Sequence, residues 1–147
     1  MPFISRTFIK VGMIWFALSL IAGLLIEINA AALPALFPLF WHMLMVGWIT
    51  QIIFGVSMWM FPGRTREEGF KPQKWGWFTF IFLNMGLLFR IIAEPQVLRS
   101  TSQIWKLLLV GSAVSQLVAG VTYLIEMWPR ILSKEQQRKR RKEMRNN

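Results

Sequence analysis

Residues 41–62 have the sequence WHMLMVGWITQIIFGVSMWMFP and carry no Asp, Glu, Lys or Arg. A helical run of about twenty apolar residues is long enough to cross the hydrocarbon core of a bilayer. His42, the only histidine of the chain, and Gln51 interrupt this apolar character. Because polar side chains are costly inside a membrane and often mark function, these two residues are the first candidates for a site.

The composition of the whole chain agrees with this span. Of the 147 residues, 54% are hydrophobic and 14% are aromatic, which indicates an integral membrane protein rather than a soluble domain. The absence of cysteine excludes disulfides, thiolate metal sites and cysteine nucleophiles. The acidic residues are all glutamates, so few carboxylate pairs are available for acid–base chemistry. We therefore expect no stand-alone enzymatic activity.

Apolar segments predict an all-α integral membrane fold, a bundle of four transmembrane helices. We expect these helices at about residues 8–28, 37–61, 75–93 and 104–127, with Pro62-Gly63 and Glu94-Pro95 as stop signals. Residues 1–129 then form the transmembrane domain and residues 130–147 a basic tail. A cleaved signal peptide ending near Ala30–Ala32 is the alternative for the first segment, but its apolar run is longer than a usual signal core.

Most Lys and Arg residues lie in the N-terminus, in the loop over residues 64–74 and in the tail. By the positive-inside rule, this distribution predicts that both termini are cytoplasmic. The net charge is +10, and the tail contributes strongly to it. We expect the tail to contact anionic lipid headgroups of the bilayer rather than nucleic acid.

Two helices carry stripes of small and polar residues. At 100° per residue, the stripe of the second helix lies opposite the face of His42, which leaves that face for a large apolar ligand or another subunit. Such stripes let helices approach closely, so we expect the second and fourth helices to pack through them. We expect Asn84, Gln51 and Gln116 to form hydrogen bonds between helices. We expect Glu126 to pair with Arg130, four residues later. The stripes comprise Gly47, Gln51 and Gly55 in the second helix and Ser112, Gln116 and Gly120 in the fourth.

Three cations, Arg90, Arg99 and Lys106, are expected at the same side of the membrane as His42. An imidazole beneath a cationic rim suits haem, because the neutral nitrogen binds iron and the propionates reach the cations. A bare metal ion lacks sufficient ligands. The alternative is that the cations face lipid headgroups and that His42 is a structural hydrogen-bonding residue.

These residues also carry a resemblance to a known family. The second helix resembles that of the catalytic subunit I of haem–copper oxidases, closest to the branch of cbb3-type oxidases and nitric oxide reductases. The motif comprises His42, Gly47-Trp48, Gly55 and Met60-Phe61-Pro62-Gly63, with weaker support from Leu83-Asn84-x-Gly86, Arg90 and Glu94-Pro95.

In that family the histidine ligates a low-spin haem, so the resemblance implies haem b at His42 and a prokaryotic cytoplasmic (inner) membrane. The family's subunits contain several four-helix arcs and further histidines that this chain lacks, so a complete oxidase is not expected.

Because the chain has one histidine, it can supply only one imidazole ligand to the haem iron. We expect the haem to be shared in a homodimer, to take its second ligand from a partner, or to be five-coordinate; Met45 of the same helix cannot lie opposite His42 across the iron. Two functions remain open. One is electron transfer, or an accessory role near the respiratory chain, with haem bound. The other is a haem-free structural or assembly subunit of a respiratory complex.

Overall fold

The computed structural model of the chain describes residues 1–28, 36–61, 74–97 and 102–131, together with residues 136, 139, 142 and 143. All regular structure in these residues is helical. The elements are α1 (Phe3–Ile28), α2 (Leu36–His42), a π-helical segment (Met43–Thr50), α3 (Gln51–Met60), α4 (Lys74–Val97), α5 (Gln103–Met127) and a 3₁₀ turn (Trp128–Arg130).

Four helices in the described residues are long and apolar enough to cross a membrane. They are α1, the second span, which joins α2, the π-helical segment and α3 over Leu36–Met60, then α4 and α5. This confirms the prediction of four membrane-length apolar helices and of the all-α class for the described residues. It also indicates a multi-pass membrane protein.

The helix bounds differ from the prediction at both ends of the chain. The first helix begins at Phe3 rather than near residue 8, because Ile4 and Phe8 are both buried in the core and hold its first turns. The fourth span is followed by a 3₁₀ turn that buries Arg130, so this residue, assigned above to the tail, packs with the bundle.

The third helix also extends further than predicted. The Glu94-Pro95 pair was expected to end it near residue 93, but α4 continues to Val97. A proline costs most in a helix interior, where it removes a hydrogen bond and crowds the preceding turn. Pro95 lies in the last turn of α4, and the preceding Glu94 is anchored by an ion pair to Arg90.

The four spans pack as two helical hairpins. α1 lies along the whole second span, α5 lies along α4, and the second span also contacts α4 through α2 and the π-helical segment. Two buried clusters fill the interior: Ile4, Phe8, Met58, Leu83, Ala119 and Met127 in one, and Trp15, Ala22, Leu39, Met43 and Leu87 in the other.

The first cluster defines the amino-terminal end of the bundle, where α1 begins and α5 ends. The second lies towards the far end, where α2 begins and α4 ends.

Candidate functional site

His42 is the last residue of α2, next to the start of the π-helical segment. Its Nδ1 lies 2.8 Å from the carbonyl oxygen of Pro38, one turn earlier, and 3.4 Å from Oε1 of Glu94 in α4. A neutral imidazole has one N–H, and an acceptor beside Nδ1 holds that proton there. Nε2 then carries the lone pair, and no described residue is hydrogen-bonded to it. The side chain is 29% exposed.

Glu94 is the centre of this site. It is 8% exposed, and its Oε1 accepts a hydrogen bond of 2.7 Å from Nη1 of Arg90, one turn earlier on α4. Within the described part of the chain, Oε2 of Glu94 and Nε of Arg90 are buried without a hydrogen-bond partner. We call His42, Glu94 and Arg90 the far-end cluster.

The sequence predicts Arg90 near the site, but there Glu94 enters only as part of a helix stop and as weaker support for the family resemblance, not as a site residue. The signal that could have identified Glu94 is its spacing from Arg90. An Arg and a Glu four residues apart share one helix face and can pair, as do Glu126 and Arg130.

The three cations expected around His42 have different positions. Arg90 forms an ion pair with Glu94, and its side chain is only 19% exposed. Lys106 is exposed in the first turn of α5 and forms no hydrogen bond or ion pair with the described residues. Arg99 lies outside the described residues.

The π-helical segment changes the directions in which the side chains of the second span point. We expected His42 and Gln51 on opposite faces, but this was wrong, because both contact α4. His42 approaches Glu94, and Nε2 of Gln51 donates to Oδ1 of Asn84 at 3.0 Å. Hydrogen bonds from residue i to i+5 place more residues in each turn, so each residue advances by less than 100°. Over Met43–Thr50 the difference accumulates and turns the two side chains towards the same neighbour.

The small-residue stripes also meet different partners from those expected. A Cβ at Gly47 would lie 2.8 Å from Cβ of Trp15, and one at Gly55 would lie 2.9 Å from Cβ of Phe8, so this stripe packs on α1. A Cβ at Gly120 would meet nothing within 4 Å. The second and fourth helices therefore do not pack stripe to stripe.

Gln116 in α5 instead faces α4. Its Cγ lies 2.9 Å from the position that a Cβ of Gly86 would take, while its Nε2 is buried with no hydrogen-bond partner among the described residues. Close contact at Gly86 is reinforced by the hydroxyl of Ser112, which donates to the Gly86 carbonyl at 2.7 Å. The predicted hydrogen bond of Gln116 is thus not present in the described part of the chain.

A second ionic group lies at the amino-terminal end. Arg130 donates from Nη2 to Oε1 of Glu126, the pair that their spacing predicts, and from Nη1 to the carbonyl oxygen of Met58 at 3.5 Å. Both charged side chains are almost fully buried. Nearby, the ring of Tyr123 stacks on Phe54 with centroids 3.7 Å apart. This group joins α5 to the end of α3 and has no imidazole.

The described residues contain no group of three or more His, Cys, Asp or Glu side chains that could hold a metal ion. The chain matches no protein-family model, no curated protein and no solved structure. The far-end cluster presents an imidazole whose Nδ1 faces the Pro38 carbonyl and Glu94, with a carboxylate–guanidinium pair behind it.

Proposed function

We propose that this chain is a haem b-binding protein of the prokaryotic cytoplasmic membrane, with its haem iron ligated by Nε2 of His42. Its role is electron transfer, or an accessory role beside the respiratory chain. The observation that supports it best is the orientation of the ring: Nδ1 is turned to Pro38 and Glu94, which leaves the Nε2 lone pair for iron. Histidines that bind metals commonly hold their other ring nitrogen in this way.

The surface beside His42 suits a flat apolar ligand. Trp41 and Met45, which lie within three residues of His42 in the chain, are 42% and 43% exposed. Both lie within one helical turn of His42. A porphyrin ring against this apolar surface would extend along the second span rather than into the bundle.

The haem propionates need cations as partners. Arg90 was expected to be one of them, but in the far-end cluster it pairs with Glu94. Arg90 shares its charge with Glu94, although its Nε remains an unpartnered donor among the described residues. Lys106 makes no ion pair with the described residues and is exposed. Among the described residues we therefore assign the propionate contact first to Lys106, with Arg90 as a shared donor; Arg99 stays a prediction from the sequence.

Bound haem b would supply a one-electron iron couple. The chain offers a single imidazole, so three arrangements would be possible: an iron shared between the second spans of a homodimer, a five-coordinate iron, or an iron with a second ligand from another protein. A respiratory-chain partner in a larger membrane complex would supply that second ligand.

Absorption spectra of the detergent-purified protein test the proposal. We expect a Soret band that shifts on addition of dithionite and that is lost in His42→Ala. Gln103→Ala, at an exposed position at the start of α5, is the matched control and should keep the band. A colourless wild-type protein that takes up no added haemin would remove the proposal.

The haem content per chain then separates the two forms of the site. A pyridine haemochrome assay should give about one haem per two chains for an iron shared in a dimer and about one per chain for a five-coordinate site. The same samples should be checked by sedimentation, because a shared iron requires the dimer.

One observation favours the haem-free alternative, a structural or assembly subunit. Through Glu94, His42 links α2 to α4, and so joins the two hairpins without any ligand. For this role we expect a colourless protein that copurifies with oxidase subunits, and His42→Ala should lower thermal stability without any spectral change.

A further inference from the structure

Glu94 has a buried carboxylate for which haem ligation by itself gives no reason. One oxygen, Oε1, lies 2.7 Å from Nη1 of Arg90 and 3.4 Å from Nδ1 of His42, while Oε2 has no described partner. Burying a charged group is costly unless its neighbours compensate for the lost hydration. The other buried Glu–Arg pair, Glu126–Arg130, has no imidazole beside it, whereas the carboxylate of Glu94 lies between an arginine and the only imidazole of the chain and therefore acts on both.

The position of one proton decides whether His42 can bind iron. A neutral imidazole places its proton on Nδ1 or on Nε2, and only the nitrogen without the proton has a lone pair to donate. The Pro38 carbonyl accepts from Nδ1, and the negative charge of Glu94 attracts the proton to the same nitrogen.

From this arrangement we infer that Glu94 is a positioning residue for His42, holding the proton on Nδ1 and keeping Nε2 open as a ligand. This inference rests on the proposed haem site.

The Pro38 carbonyl alone does not fix the direction of the imidazole relative to the neighbouring hairpin. It belongs to α2 itself, so it fixes the ring only relative to its own helix. Glu94 lies on α4 and fixes the ring relative to the neighbouring hairpin. Arg90 holds Glu94 in place from one turn away on α4. Glu94 thus adds to the Pro38 carbonyl in favouring the proton on Nδ1, and Glu94 and Arg90 together set the direction of the imidazole.

The single histidine makes a direct test possible. Protein labelled with ¹⁵N-histidine contains one labelled imidazole, and its two nitrogen shifts distinguish the protonated from the unprotonated nitrogen. In haem-free wild type we expect the proton on Nδ1. In Glu94→Gln, which keeps the side-chain volume but removes the charge, we expect the population with the proton on Nδ1 to fall and that with the proton on Nε2 to rise, because only the Pro38 carbonyl then favours Nδ1. Haemin affinity should fall about 10- to 100-fold, as for other residues that orient metal ligands.

Glu126→Gln is the matched control. It removes the charge of the other buried Glu–Arg pair, at the amino-terminal end of the bundle, and leaves the far-end cluster untouched. We expect the wild-type tautomer and the wild-type haemin affinity. An equal effect in both variants would assign the loss to a weakened bundle and overturn the positioning role.

Three further outcomes separate the inference from the proposed function. Wild-type protein with the proton on Nε2 overturns the inference even where the variant does not fold. Unchanged tautomer and haemin affinity in Glu94→Gln overturn it while the haem site stands. Wild type that takes up no haemin overturns the haem proposal, and the tautomer shift in the haem-free variant then still decides whether Glu94 positions the ring.

Discussion

At the scale of single residues, Asn84 links three of the four long helices, which its position in the sequence does not indicate. Its Oδ1 accepts from Nε1 of Trp15 in α1 at 2.8 Å and from Nε2 of Gln51 in the second span at 3.0 Å. Its own Nδ2 donates to the Phe80 carbonyl at 2.8 Å, within α4. One amide therefore connects three spans, and its orientation is fixed by α4 itself.

Replacing Asn84 with leucine should destabilise the bundle. Gln51 is fully buried, so its amide would lose its partner inside the bundle, and Trp15 would lose its acceptor. Interhelical hydrogen bonds in membranes contribute about 0.6–2 kcal/mol each, so we expect a loss of about 1–3 kcal/mol in the free energy of unfolding. Equilibrium unfolding in mixed micelles measures it. Gln103→Leu, at an exposed position, is the control, and equal midpoints for the two variants would contradict the role of Asn84.

At the scale of helices, contact between α1 and the second span depends on glycines rather than on hydrogen bonds. A Cβ at Gly55 would lie 2.9 Å from Cβ of Phe8 and 3.1 Å from the backbone carbonyl of Ser5. Neither atom is the flexible end of a side chain, so the helices would have to move apart. The same methyl group on Gly120 would enter open space.

Gly55→Ala and Gly120→Ala thus form a matched pair that adds one methyl group to each of two spans. We expect Gly55→Ala to cost about 1–3 kcal/mol through overpacking. Gly120→Ala should leave stability unchanged or raise it by up to about 1 kcal/mol, because alanine is the better helix former. Thermal unfolding of both variants in detergent measures the difference. A larger loss for Gly120→Ala would show that α5 packs through its own stripe, as the sequence suggested.

The same helices show what the sequence could and could not predict. The number of spans follows from hydropathy alone, because a bilayer requires long apolar helices. The choice of neighbour does not, because Gly47 and Gly55 are equally suited to any helix that approaches them, and here that helix is α1. The directions of His42 and Gln51 could not be derived at 100° per residue once the chain between them became π-helical.

At the scale of the whole molecule, the buried charges are confined to the two ends of the bundle. The far-end cluster holds one Glu–Arg pair, and Glu126–Arg130 holds the other at the amino-terminal end. Between them the described interior contains only uncharged polar groups such as Asn84 and Gln51. Charged side chains cost most at the centre of a bilayer, so this distribution suits a bundle whose axis crosses the membrane.

The exposed cations predict the orientation of that axis. Exposed Arg6, Lys10 and Lys74 lie at the amino-terminal end, so the positive-inside rule places this end in the cytoplasm. The chain has no cysteine, so Lys74→Cys and Gln103→Cys each introduce one thiol, at exposed positions at opposite ends. An impermeant maleimide added to intact spheroplasts should label Gln103→Cys at once and Lys74→Cys only after the membrane is opened. The reverse pattern would mean that the amino-terminal end of the bundle faces away from the cytoplasm. Equal labelling in intact cells would mean that α4 does not cross the membrane.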